Sequence, residues 1–142
     1  MMEHWSNAFV GIPHLDHGRT LSGCDCWGLV RLVFAQQLGI ELPSYADGYI
    51  STDEHAEISA LIGGAKESTS WARVEGLAMP LDIAVFRRGR LDAHVGVVVS
   101  GGLMLHMAEG AHSCLEHYRG GKWATRQSGI YRHHRLAERV SA

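Results

Sequence analysis

The chain has 142 residues, 46% of them hydrophobic and 20% charged, a composition that suits a folded domain rather than a disordered segment. Thirteen basic against fifteen acidic residues leave a formal charge of -2, and no local run of Lys or Arg stands out, which argues against a nucleic-acid partner. Three cysteines do not make a disulfide framework, and no apolar run is long enough to span a bilayer, so membrane insertion is not expected.

This length predicts a single domain over 1–142. The start of the chain has no apolar core of a signal peptide, which predicts a protein made in the cytoplasm without one. Residues 5–10 are a short, partly apolar segment. After Gly11-Ile12-Pro13-His14 comes a loop over 15–23, broken by Asp16, Gly18 and Gly23. Ser22-Gly23-Cys24-Asp25-Cys26 then reads as a turn running into a helix, with Cys26 on its first turn. Leu29, Val30, Val33 and Phe34 recur at helical spacing, polar residues are confined mainly to Arg31, Gln36 and Gln37, and Gly39 supplies a stop. So apolar a helix belongs in a core. A thiol at its start lies beside unpaired backbone N–H groups and the positive end of the helix dipole, both of which favour the nucleophilic thiolate. The alternative for Cys26 is a small buried hydrophobe.

Pro43 and Gly48 mark a second loop. Ser51 and Glu54 have the capping-box spacing and predict a helix through Ile58, Leu61 and Ile62, ended by Gly63-Gly64. From Trp71 the pattern alternates, and strands are expected over 82–86, 94–99, 103–108, 114–118 and 129–133. Helices followed by a run of strands with short connections predict an α+β domain with an antiparallel sheet.

His94 and His106 fall in consecutive strands. A two-residue Gly101-Gly102 turn would pair His106 with Val97 and put the histidines on opposite faces. A three-residue Ser100-Gly101-Gly102 loop pairs His106 with Gly96, and the two histidines then share a face with room between them. Cysteine, base and a residue that orients the base are the elements of nucleophilic catalysis.

Asp25-Cys26-Trp27-Gly28-Leu29-Val30, Pro80-Leu81-Asp82-Ile83-Ala84-Val85-Phe86, His94-Val95-Gly96-Val97 and Leu105-His106 together resemble the NlpC-type cysteine peptidases of the NlpC and p-sixty superfamily. They are most similar to the branch found in phage tails, prophages and gene-transfer-agent particles. The resemblance covers about residues 5–133. It implies a papain-like cysteine peptidase fold, with an N-terminal nucleophile helix packed on an antiparallel β-sheet. It also implies hydrolysis of peptidoglycan stem peptides, typically between γ-D-glutamate and a diamino acid. By position, Cys26 is the nucleophile, His94 the base and His106 the orienting residue. The implied partners are the stem peptide and other phage-like tail-tip proteins, and the implied place of action is the periplasm or cell wall.

The chain departs from the family pattern at three places. Trp27 replaces the serine that commonly follows the nucleophile, His14 stands where a tyrosine is usual, and Leu81 replaces a glycine. His14, Asp25 and Trp27 are candidates for substrate binding or for stabilising the oxyanion, and Asp25 could equally serve backbone N–H groups at the turn. Two other function classes compete. One is a structural tail-tip or hub protein that keeps the fold without the activity. The other is a zinc site on Cys24, Cys26 and nearby histidines, which the Cys-x-Cys spacing and the lack of a second cysteine pair disfavour, so no metal and no cofactor are expected.

Overall fold

The computed structural model describes residues 4–15, 19–42, 71–88, 91–107 and 111–136. Helix α1 spans Cys26–Leu38 and begins where the sequence predicts. Asp25 is in extended conformation before it, and its carboxylate accepts the Gly28 N–H at 2.8 Å, satisfying a backbone donor the first turn would leave unpaired. At the other end Gly39 adopts φ 66°, a left-handed conformation open to glycine, and returns its N–H to the Phe34 carbonyl. Leu29, Val30, Val33 and Phe34 are buried while Gln36 and Gln37 face outward.

The rest is mostly antiparallel sheet. A short hairpin, β1 (Arg19–Thr20) with β2 (Gly23–Cys24), occupies part of the expected 15–23 loop. The main sheet contains β3 (Trp71–Arg73), β4 (Ile83–Arg88), β5 (Leu91–Ser100), β6 (Leu103–Met107), β7 (Ser113–His117) and β8 (Gln127–His133), in the order β3-β8-β4-β5-β6-β7. Trp5–Phe9 form a 3-10 turn, and a short helix α2 over Gly121–Arg126 was not expected from the sequence. The helix expected from Ser51 to Ile62 lies outside the described residues.

Alternation divides the central strands between two buried clusters. Ile83, Val85, Val95, Val97, Leu105 and Met107 pack on the side of α1, in one cluster with Cys26, Leu29 and Val33. Ala84, Phe86, Val98 and Met104 pack on the other side with Tyr118, Trp123 and Ile130. A sheet covered on both faces explains why residues 95–99 are apolar without a break.

The β5–β6 register decides the histidine geometry. His106 pairs with Gly96, as the same-face arrangement requires, but by a different route from the three-residue loop. Ser100 pairs directly with Leu103 across a two-residue Gly101-Gly102 turn, in which Gly102 takes φ 82°. The next pair is Val98 with Met104, so Val99 is an extra, bulged residue that restores the parity.

Two polar groups lock the frame. Asp82, fully buried, accepts two hydrogen bonds from the Arg132 guanidinium at 2.8 Å each and one from the Met79 N–H at 2.8 Å. His133 packs against Trp71 and Phe34, with ring centroids at 4.9 and 5.9 Å, and its Nδ1 accepts the Arg135 N–H. Burial pushes the His133 pKa down to about 4, and the neighbouring His134 and Arg135 add to the effect. Its neutral ring is compatible with folding above about pH 6.5, but below that the unfolded chain takes up the proton first. Stability should therefore fall as pH drops from about 6.5 towards 4, with His133 contributing at most about 3 kcal/mol. Urea unfolding of His133→Phe, which keeps an aromatic ring and removes the proton, should show a flatter decline over that window; an unchanged pH dependence would contradict it.

Candidate active site

The site is built on neighbouring strands, with His94 on β5 and His106 on β6. His94 and His106 flank Gly96, where an added Cβ would lie 2.7 Å from the Met104 sulfur and 3.2 Å from the His106 Cβ. That lack of a side chain lets the two imidazoles meet. His94 Nε2 is 2.9 Å from His106 Nδ1, with the rings nearly perpendicular at 88°. His106 Nε2 is in turn 2.8 Å from a carboxylate oxygen of Glu116. Trp123, from α2, stacks on His94 at 5.1 Å and meets His106 edge-on at 5.2 Å.

The chemistry of the three groups fixes where the protons are. His106 is 1% exposed. Burial holds its pKa below the ordinary value; the hydrogen bond and charge of Glu116 pull the other way without prevailing, and Lys122 adds to the lowering. His106 is thus a neutral ring with one N–H. The ionised Glu116 can only accept, so that N–H is at Nε2, and Nδ1 is left as an acceptor. His94 therefore donates from Nε2 to His106 Nδ1, and the lone pair of a neutral His94 is on Nδ1.

Cys26 is the first residue of α1, 2% exposed, and packs in the cluster that includes Val95, Val97, Leu105 and Met107. The histidine rings meet Phe86 and Trp123, members of the second cluster. The strand ladder changes at His94. The β4–β5 pairs step from Phe86–His94 to Arg87–Asp92, and the β4–β8 pairs from Val85–Gly129 to Phe86–Gln127. Each step leaves one residue unpaired, and such bulges bend a strand and re-aim its side chains.

The other candidates are placed as follows. Asp25 is 1% exposed and its carboxylate caps α1, the local backbone role. Trp27 is fully buried in the α1 cluster and presents no surface to a substrate. His14 is bridged by its backbone to Cys24, two residues before Cys26, and its N–H goes to the Ala111 carbonyl.

Sequence reasoning missed Glu116. Its signal was the β6–β7 register, which sets Cys114 opposite His106 and puts Glu116, two residues on, on the same face.

Residues 11–132 match the model of the NlpC/P60 family. The chain belongs to the NlpC/P60 family. It is 28% identical over 96 residues to the murein DD-endopeptidase MepS/murein LD-carboxypeptidase of Escherichia coli strain K12, an alignment that takes in 68% of this chain and 42% of that protein. The fold matches that of an NlpC/P60 family protein from Bacillus cereus, with a TM-score of 0.63 at 18% identity, covering 88% of this chain and 36% of that one. It also matches the NlpC/p60 domain of the peptidoglycan hydrolase SagA, with a TM-score of 0.57 at 20% identity over 88% of this chain and 90% of that one. These likenesses agree with an α+β, papain-like fold for this NlpC/P60 chain.

Proposed function

We propose that this chain is a cysteine endopeptidase that hydrolyses peptidoglycan stem peptides, at the bond between γ-D-glutamate and a diamino acid. The observation that carries this is the Glu116–His106–His94 relay, which leaves His94 Nδ1 as the basic atom in a family chain whose nucleophile helix starts at Cys26. The Cys26 thiol gives its proton to His94 Nδ1 and attacks the scissile carbonyl. The resulting imidazolium protonates the leaving amine, and neutral His94 then activates the water that releases the acyl-enzyme. The Cys26 N–H at the helix start is the donor best placed for the oxyanion. The similarity of the Asp25–Val30 and His94–Val97 motifs to phage-like tail proteins supports a place in such a particle, acting in the periplasm or cell wall.

One observation favours the second reading, a structural tail protein without activity: Cys26 is 2% exposed, inside a buried hydrophobic cluster. Digestion of purified peptidoglycan by wild type and Cys26→Ala, with products identified by mass, separates the two. Fragments ending in γ-D-glutamate from wild type alone support the peptidase. No cleavage by wild type supports the structural protein.

Glu116 has an expected effect of its own. Glu116→Ala removes the acceptor that fixes the tautomer of His106, and kcat should drop by about tenfold, the lower end for a residue that orients another. KM should change little. Glu116→Gln, whose amide oxygen can still accept, should retain most of the activity; equal loss in both variants would argue that the charge matters rather than the hydrogen bond.

A further inference from the structure

We propose that His106, Cys114 and Glu116 form a binding site for a zinc ion, and that zinc held there reverses the proton order of the relay. Among the described residues, these three bring an imidazole nitrogen, a thiol sulfur and a carboxylate oxygen within 4.8 Å of one another. His106 Nε2 is 3.6 Å from Cys114 Sγ and 2.8 Å from Glu116 Oε1. Zinc bonds of roughly 2.0–2.3 Å in a tetrahedron set neighbouring ligand atoms about 3.3–3.8 Å apart. The nitrogen and sulfur already have that separation, while the carboxylate oxygen, within 4.8 Å of the sulfur, has to move by roughly 1 Å, away from the nitrogen and toward the sulfur. It is free to do so, because the Glu116 side chain is 42% exposed whereas His106 is held in the core. Cys114 and Glu116 project from the same face of β7, with His106 opposite Cys114 on β6, so the donors are set by paired strands. One nitrogen, one sulfur and one oxygen, with an open side for water, suit zinc and not the hard cations calcium or magnesium. Hydrolysis as proposed above makes no use of Cys114.

Zinc bonds through a lone pair, so its arrival at His106 Nε2 moves the ring proton to Nδ1, and the Cys114 thiol gives its proton to solvent. The new Nδ1–H points at His94 Nε2, which must then accept. The one proton of neutral His94 moves to Nδ1, the atom that has to take the proton of Cys26. A zinc-loaded site and a base-competent His94 therefore exclude each other. The metal site stands on the geometry alone, whereas inhibition rests on the peptidase proposed above.

Zinc titration of wild type, Cys26→Ala and Cys114→Ala against a competing chelator dye tests the site, with nitrogen NMR of the imidazoles in the Cys26→Ala protein reporting the tautomers. Expected are one zinc per chain in wild type and Cys26→Ala, at least tenfold weaker binding in Cys114→Ala, and transfer of the His94 proton from Nε2 to Nδ1 on loading. Glu116→Gln, which keeps a hydrogen-bond acceptor, is the second binding variant should Cys114→Ala fail to fold, and it too should weaken zinc. In the peptidase assay, relative to its own zinc-free rate, Cys114→Ala should need at least tenfold more zinc for inhibition than wild type. Binding that is lost in Cys26→Ala but kept in Cys114→Ala, or a His94 tautomer unchanged by zinc, would overturn the proposal. Wild type that binds zinc through Cys114 and shifts the tautomer, yet cuts no stem peptide, would uphold the site and sink the peptidase instead.

Discussion

Replacing His94 with glutamine is expected to lower stem-peptide cleavage by about 10²–10⁴-fold, the contribution typical of a positioned general acid–base. Glutamine can occupy the space between Trp123 and His106 and can donate to His106 Nδ1, so the local packing is largely kept. It cannot take the thiol proton or return it to the leaving amine. The loss should therefore fall on kcat, with KM little changed. If the His94→Gln protein cleaves at a rate near that of wild type, the base is some other residue.

Replacing His106 with alanine is the second large effect, with activity falling below that of His106→Gln but remaining above that of His94→Gln. His106 touches no substrate in the proposed reaction. It accepts from His94 and donates to Glu116, and so holds the His94 lone pair at Nδ1. Glutamine has both an amide oxygen to accept from His94 and an amide N–H to donate to Glu116, so it can serve both neighbours. Alanine serves neither, leaves His94 free to adopt the unproductive tautomer and opens a cavity in a buried position. The measurement is kcat for the three variants beside their urea midpoints, so that lost orientation is separated from lost stability. His106→Ala with wild-type kcat would move the orienting role elsewhere.

Much of this arrangement was legible in the sequence because local and long-range signals agreed. Asp25 and Gly39 mark the ends of α1, and the apolar spacing of Leu29, Val30, Val33 and Phe34 marks its buried side. The Gly96–His106 pairing was legible too, because only that register places the histidines together with a glycine between them. Its cause was not. The strand pattern shows no sign that Val99 is bulged, since Val99 is apolar whichever face it takes, and the Gly101-Gly102 turn fits two loop lengths. Glu116 was hidden for a related reason. A half-exposed glutamate on an outer strand looks like an ordinary surface charge until the β6–β7 register sets it beside a buried imidazole. The short hairpin at Arg19–Thr20 and Gly23–Cys24 was hidden because two-residue strands carry no periodicity. Trp27, a candidate for substrate binding or the oxyanion because it follows the nucleophile, has its side chain turned into the core by its helical position.

Site-resolved alkylation of the three cysteines across pH tests the pairing of Cys26 with His94 without relying on any substrate. The rate at which iodoacetamide modifies Cys24, Cys26 and Cys114 would be followed by peptide mass in wild type and in His94→Gln. A thiolate stabilised by the helix start and by an imidazolium reacts well below the free-thiol pKa of about 8.5. The predicted result is that Cys26 is modified first and at the lowest pH, that Cys114, whose thiol is held up by burial and by the Glu116 charge, lags, and that His94→Gln raises the pH at which Cys26 reacts. Equal rates at all three cysteines, with a pH dependence untouched by His94→Gln, would contradict the catalytic pair.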